Sequence, residues 1–327
     1  MRTVGLIGLG NAGRPIGERL IKKEYYLRIY DINPKAAEPL EKLGASKASS
    51  PQDAVSGVTI TVLPSTVEVK SAVFGERGIL SGIQPDFVLI DLSGTDPGCA
   101  REIEQRITER SGKFLGGTLH ASGAPAATIP RGLLSIVIGG KRETLEACMD
   151  ILKDLAQKII CLPEPWIPKS LKIAVIMLSA ANNIISAEVC AWLSAQGINP
   201  QLFLQLLQIT GSQASASRIE EFFKRNRNYG GALSNSYKDL RQALEIAAAL
   251  SIPLPFTATA NQIQEMGRAQ GFSRINSPAA IGKLYEILTG ANLSAATSDT
   301  ERTFPEPEEP EVVYLENPLA DPEQLRR

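Results

Sequence analysis

Apolar and polar positions change their rhythm twice along this chain. From Thr3 to about Cys161, short apolar, β-branched runs alternate with stretches of helical period. The runs predict strands at Thr3–Gly8, Tyr26–Asp31, Val58–Leu63, Phe87–Leu92, Leu133–Ile138 and Lys158–Leu162. Several are apolar almost throughout, as strands covered on both faces must be. Strands separated by helical segments predict βαβ units and a mostly parallel sheet. The first strand leads into a helix over Ala12–Lys22.

After Pro163-Glu-Pro-Trp-Ile-Pro168 the β-branched runs give way to Ala, Leu and Gln. A long helix is predicted from Ser170 to Gln196, stopped by Gly197 with Pro200 close behind. Further helices are predicted at Gln201–Ile209, Ala214–Arg225, Ser236–Leu250, Phe256–Gln270 and Ala279–Leu288. Ser298–Arg327 holds five prolines and nine acidic residues against three basic ones, a composition unsuited to a core. The predicted organisation is thus an α/β domain over 1–163, an all-α domain over 164–295, and a disordered acidic, Pro-rich tail over 296–327.

Composition narrows the classes of function. The 327 residues carry 34 Lys and Arg against 35 Asp and Glu, a net charge of −1. Removing the tail's −6 leaves +5 on the folded body. That suits an anionic ligand but is too dilute for a nucleic-acid surface. The four cysteines form no CxxC pair and the chain has a single histidine, so no metal site is expected. Widely spaced cysteines and the absence of a signal-peptide pattern predict reduced thiols in a cytoplasmic protein. The most apolar internal run, Ile173–Met177, is too short to span a bilayer, so no membrane association is expected.

The chemistry begins at Gly8-Leu9-Gly10-Asn11-Ala12-Gly13, between the first strand and first helix. Each glycine has a separate reason to be there. Gly8 permits a tight turn, Gly10 a close approach by a pyrophosphate, and Gly13 close helix–strand packing. Phosphates would lie at the helix N-terminus, where free N–H groups and the dipole favour anions. Asp31 ends the second strand eighteen residues after Gly13. A carboxylate there accepts from ribose hydroxyls and repels a 2′-phosphate, so NAD is expected over NADP. The alternative is a glycine-rich turn in another α/β protein, with Asp31 a turn residue.

From these motifs the sequence resembles the β-hydroxyacid dehydrogenase family, the group around 3-hydroxyisobutyrate dehydrogenase, over roughly Arg2–Leu288. Leu63-Pro64 resembles the family's Leu-Pro along the cofactor. Asp91-Leu92-Ser93 with Pro97 resembles its Asp-x-Ser-Thr-x-x-Pro segment near the nicotinamide, and Ser122-Gly123 its substrate loop. Lys172 falls at the family's catalytic lysine, with Glu188 sixteen residues on, and Lys238-Asp239-Leu240 resembles a later element whose lysine lies near the cofactor. The resemblance implies a Rossmann domain, an all-α domain used in dimerisation, a homodimer or homotetramer, and a small anionic hydroxy-acid substrate. Departures from the pattern are Gly94 for threonine, an altered loop at Thr118–Gly123, and Ile176 for asparagine.

On that register Lys172 is the expected general acid/base, and the apolar run after it would lower its pKa. The alternative is a solvated helix residue or an interdomain ion pair. Lys169, three residues earlier, reads as an exposed charge or an anion contact. Ser122, Gly123 and His120 are expected to touch substrate, and Ser93 and Lys238 cofactor. Each also reads as an ordinary turn, core or helix residue. Three functions follow: an NAD-dependent dehydrogenase of a 3-hydroxy acid, a related reductase of another carbonyl or an imine, or an NAD-binding module with weakened or lost catalysis.

Overall fold

The computed structural model describes residues 2–121, 125–211, 231–291, 293 and 309–316. Residues cluster into two compact units, Met1–Lys172 with Glu306–Arg327, and Ile173–Pro305. The first is built on one nine-stranded sheet. Its strands are β1 (Thr3–Ile7), β2 (Tyr26–Tyr30), β3 (Ser46–Lys47), β4 (Val58–Thr61), β5 (Val88–Asp91), β6 (Lys113–Ala121), β7 (Leu134–Gly139), β8 (Lys158–Leu162) and β9 (Glu311–Tyr314). Their order is β3-β2-β1-β4-β5-β6-β7-β8-β9. All neighbours are parallel except β6 and β7.

Six of the nine strands stand at the predicted places. The other three have weak local signals. Strand β3 is two residues long, and β6 is interrupted by Gly116-Gly117. Strand β9 lies within the tail that the sequence reads as disordered or loosely attached. Glu311–Tyr314 is a short β-branched and aromatic stretch inside acidic sequence, and it pairs with β8. The rest of the tail lies outside the described residues, as does the predicted helix at 214–225.

Longer helices in this unit are α1 (Gly13–Lys22), α2 (Thr66–Phe74), α3 (Pro97–Thr108), α4 (Arg142–Ala147) and α5 (Met149–Leu155). The sheet's side chains alternate into two cores. Val4, Leu6, Leu27, Ile29 and Ile90 pack with α1 residues Ile16 and Leu20 and with Ile151 and Leu155 of α5. Ile7, Leu89 and Phe114 pack on the other side with Val69 and Val73 of α2 and Ile103 and Ile107 of α3. Burial on both faces is why the strand runs read as continuously apolar.

Gly116 and Gly139 face each other across β6 and β7. A Cβ at Gly116 would lie 2.1 Å from the Pro165 carbonyl oxygen, and one at Gly139 2.0 Å from that of Glu164. The gap left by two missing side chains lets the Glu164–Pro165 backbone lie against the sheet. Helix α6 (Ile167–Ala195) follows at once. It starts three residues before the predicted Ser170, because a proline at 168 is tolerated in a first turn.

The second unit is helical where described: most of α6, then α7 (Pro200–Ile209), α8 (Leu233–Ala249), α9 (Pro255–Ala269) and α10 (Ser277–Thr289). Ala180, Ile184 and Ala187 of α6 pack with Leu233 and Leu240 of α8, Ala260 of α9 and Ile281 of α10. Among the described residues, α6 is the one helix long and apolar enough to cross a membrane by length and composition, more than the short run at Ile173–Met177 suggested.

Candidate functional site

The carboxyl ends of β1, β2, β4, β5 and β6 lie along one edge of the sheet. In open α/β sheets, ligands bind beyond that edge, where the chain connections diverge. Here they diverge at β1, which has β2 on one side and β4 on the other.

The glycine loop follows β1. Gly8 has φ +94°, a left-handed conformation, and a Cβ there would lie 2.4 Å from the Val62 carbonyl oxygen. At Gly13 a Cβ would lie 1.8 Å from the Gly8 carbonyl oxygen, so a side chain would force α1 away from the loop. Gly10 has open space where a Cβ would project. Helix α1 has Ala12 at its N-cap position, with no side-chain cap and no acidic residue in its first turn. Asn11, Ala12 and Gly13 thus bring backbone amides to an uncapped helix N-terminus, which fits a pyrophosphate. One oxygen of Asp31 accepts from the Leu9 N–H at 2.7 Å and the other from the Asn33 N–H at 2.8 Å. The carboxylate is thereby held against the glycine loop.

Farther along the edge, the Leu63 N–H donates to the Ser93 hydroxyl at 2.9 Å, joining the turns after β4 and β5. Pro64 continues the first turn, and Ser93 is buried. Asp96 caps α3 by accepting from the Cys99 N–H, with Pro97 as the first helical residue. The threonine absent at 94 has a neighbour at Thr95, whose hydroxyl donates to Asp91.

The largest correction concerns Lys169. It is neither exposed nor open to an anionic substrate. Its ammonium is fully buried and donates to Asp91 Oδ2 at 2.8 Å and to the carbonyls of Asp91, Ser93 and Gly117 at 3.1, 3.0 and 2.7 Å. Asp91 Oδ1 also accepts from Thr61 and from the Ser93 N–H. Burial pushes the Asp91 carboxyl up, but the Lys169 charge and the converging hydrogen bonds outweigh it and hold the group below the usual carboxylate range. The pair binds the first turn of α6 to the ends of β5 and β6. Sequence reasoning missed it because the partners stand 78 residues apart and a lysine ordinarily signals surface.

Lys172, one turn on from Lys169, is half-buried. It lies close enough to His120 to act on it electrostatically. Burial and then the Lys172 charge push the His120 imidazole below its ordinary range. His120 stands near the end of β6 with Nε2 3.0 Å from the Thr118 hydroxyl. Ser122 and Gly123 lie outside the described residues. Lys238 lies within α8 of the helical unit, 3.3 Å from the Asp239 carboxylate. Glu188 accepts from the Tyr285 hydroxyl in that unit, and Ile176 packs with its apolar core. All four cysteines are unpaired and buried. Among the described residues no group of three or more His, Cys, Asp or Glu is placed to hold a metal ion.

A strand, a glycine turn and an uncapped helix, with an acid at the end of the neighbouring strand, define a Rossmann-type dinucleotide-binding domain. Known proteins agree. Residues 3–162 match the family described as the NAD binding domain of 6-phosphogluconate dehydrogenase. Residues 169–284 match that described as NAD-binding of NADP-dependent 3-hydroxyisobutyrate dehydrogenase. The chain is 27% identical over 303 residues to 3-sulfolactaldehyde reductase of Escherichia coli, covering 90% of this chain and 99% of that one. It is 28% identical over 282 residues to human mitochondrial 3-hydroxyisobutyrate dehydrogenase, covering 83% of each. A structure of 3-hydroxyisobutyrate dehydrogenase from Mycobacterium tuberculosis with L-serine superposes with a TM-score of 0.74 at 23% identity, covering 87% of this chain and 99% of that one. The chain belongs to the β-hydroxyacid dehydrogenase family, a family of NAD(P)-dependent hydroxy-acid dehydrogenases.

Proposed function

We propose that the protein is an NAD-dependent oxidoreductase that interconverts the hydroxyl of a small anionic 3-hydroxy acid with a carbonyl. The observation that carries this reading is the glycine loop held against Asp31 at one sheet edge, with His120 near the end of β6 on that same edge and half-buried Lys172 near enough for its charge to act on the imidazole. Lys169 cannot share the proton-transfer role, because its ammonium is buried among four oxygens. Lys172 would take the substrate hydroxyl proton as general base in oxidation and return it as general acid in reduction. His120 would face the substrate beside it, and Ser122 with the Gly123 backbone would hold the carboxylate. The bound nicotinamide supplies the hydride acceptor.

Gly8, Gly10, Asn11, Ala12 and Gly13 would cradle the pyrophosphate, with Leu63, Pro64 and Ser93 toward the nicotinamide; Lys238 is a cofactor contact on the family resemblance alone. Asp31 supports NAD over NADP, since an acceptor-only carboxylate beside the loop favours free ribose hydroxyls and opposes a phosphate. Replacing Lys172 by alanine is expected to lower kcat by about 10²–10⁴-fold, the usual share of general acid–base catalysis. NAD binding should persist. Turnover measured by NADH fluorescence over a panel of hydroxy acids tests this, and an unchanged kcat removes the assignment.

A second reading is motivated by Ile176 and Gly94. They replace a polar contact and a threonine of the family pattern, and favour a different carbonyl or imine substrate or weakened catalysis. Reduction of an imine panel with NADH supports the first variant. Tight NADH binding without turnover on any panel supports a cofactor-binding module.

We also propose a homo-oligomer, a homodimer or homotetramer, in the cytoplasm. Val175, Leu178, Ile185 and Trp192 form an exposed apolar stripe along α6. Their spacings of three and seven match a helix seam, and Asn182 occupies an intermediate position on it. A second copy covers such a stripe without requiring a membrane. Four buried thiols, pushed up to about 11 or 12 by burial, suit a reducing compartment.

A further inference from the structure

Both family matches end by residue 284, yet the sheet gains its last strand at Glu311–Tyr314. Without β9 the sheet would end at β8, with a row of unpaired N–H and C=O groups. Such an edge is a template for pairing with any extended segment. The occupant is specific in three ways. Its register is parallel, Lys158 to Glu311 through Cys161 to Tyr314. The Glu311 and Leu315 N–H groups donate to the carbonyls of Gln157 and Cys161 at 2.7 and 2.9 Å. Its side chains also find partners. Glu311 lies 3.4 Å from Lys158, Val312 packs on the core, and the Arg142 guanidinium stands 4.8 Å from the Tyr314 ring centre.

The flanking sequence limits further growth. Prolines at 305, 307, 310 and 318, and acids at 306, 308, 309 and 316, surround a β-branched core. Proline has no N–H for a ladder, and charge discourages edge-to-edge pairing. The segment therefore carries one strand's worth of pairing and poor means for a second.

We propose that the β8 edge is a strand-acceptor site and that residues 311–314 are its dedicated occupant, a cap that prevents β8 from pairing with β8 of a second copy. The site recognises an extended acidic, β-branched, β-branched, tyrosine segment. Main-chain bonds provide adhesion, while Lys158 and Arg142 provide selection. This inference is independent of the reaction assigned above.

The experiment compares the full chain with a chain ending at residue 304 and with the Val313→Pro variant. Val313 lies midway between the donors Glu311 and Leu315, so proline disrupts the ladder without shortening the chain. Hydrogen exchange is read at β8 and at β1, and self-association by sedimentation velocity. The expected result is at least tenfold faster exchange at β8 with β1 unchanged, together with additional self-association in both altered proteins. A synthetic peptide of residues 309–316 should restore both properties in the truncated chain, and its Tyr314→Ala form should require several-fold higher concentration. Unchanged β8 exchange in both altered proteins overturns the proposal. So does faster exchange spread equally to β1 with no response to the peptide, because β9 would then be a general stabilising element and β8 no acceptor site.

Discussion

Lys169→Met removes the buried ammonium while retaining most of the aliphatic stem. Four oxygens between 2.7 and 3.1 Å lose their shared donor. Asp91 remains fully buried, with only neutral donors from Thr61, Thr95 and the Ser93 N–H. Removing one partner of a buried ion pair costs about 3–5 kcal/mol. In a unit of this size each kcal/mol moves the midpoint by about 2–4 °C, so the predicted loss is about 6–20 °C. The pH dependence separates this cause from simple loss of packing. In the wild type, the Asp91 pKa is depressed on folding. Its contribution is complete above the unfolded value of about 3.9 and is lost as pH falls through the folded value. In the variant, burial is left without the opposing cation, and the folded pKa rises above the unfolded one. Protonation then relieves the cost, so the deficit is largest at neutral pH and narrows as pH falls through the raised folded value toward about 3.9. Thermal and urea unfolding of both proteins at pH 8 and at steps down to about 5 measures it. A deficit below about 1 kcal/mol, or one constant across these conditions, refutes the reasoning. Adding Asp91→Asn should recover part of the loss and abolish the pH dependence.

Two other outcomes test separate parts of the proposed function. Asp31→Ser is expected to raise the Kd for NAD about tenfold and narrow the preference against NADP, because the ribose acceptor and the phosphate-repelling charge disappear together; equal affinities before and after, by fluorescence titration, count against the assigned role. Leu178→Glu combined with Ile185→Glu is expected to convert the assembled protein to a monomer in sedimentation velocity, and a wild-type monomer dismisses the stripe as an assembly face.

What could be read from sequence divides by the range of the interactions. The glycine loop, α1 and Asp31 are set by local rules of backbone space, hydrogen bonding and strand period, so their spacing was legible. The two-sided burial of β1 and β5 was legible for the same reason. Strand β6 was hidden because Lys113–Ala121 lacks a sustained β-branched run and carries two adjacent glycines. Strand β9 was hidden by the charge of its flanks, although Val312, Val313 and Tyr314 have the right composition. Lys169 was illegible for a different reason. Its environment is assembled from carbonyls and a carboxylate 52 to 78 residues earlier, and no local pattern distinguishes it from a surface lysine. Lys172 was placed by the family register and His120 by being the single histidine, in the loop before Ser122; their electrostatic proximity is visible only in three dimensions.

The crossing at Gly116 and Gly139 places an unequal constraint on sequence change. The atoms that approach these glycines most closely are backbone carbonyl oxygens, which almost any residue at 164 or 165 could supply. A new side chain on the joint can turn outward, but a new Cβ on either strand meets main-chain oxygen at about 2 Å. Evolutionary freedom therefore belongs to the connector, while restraint belongs to the sheet beneath it. A search for the conserved partner of that crossing should look for two absences facing each other, with no side chain for either to recognise.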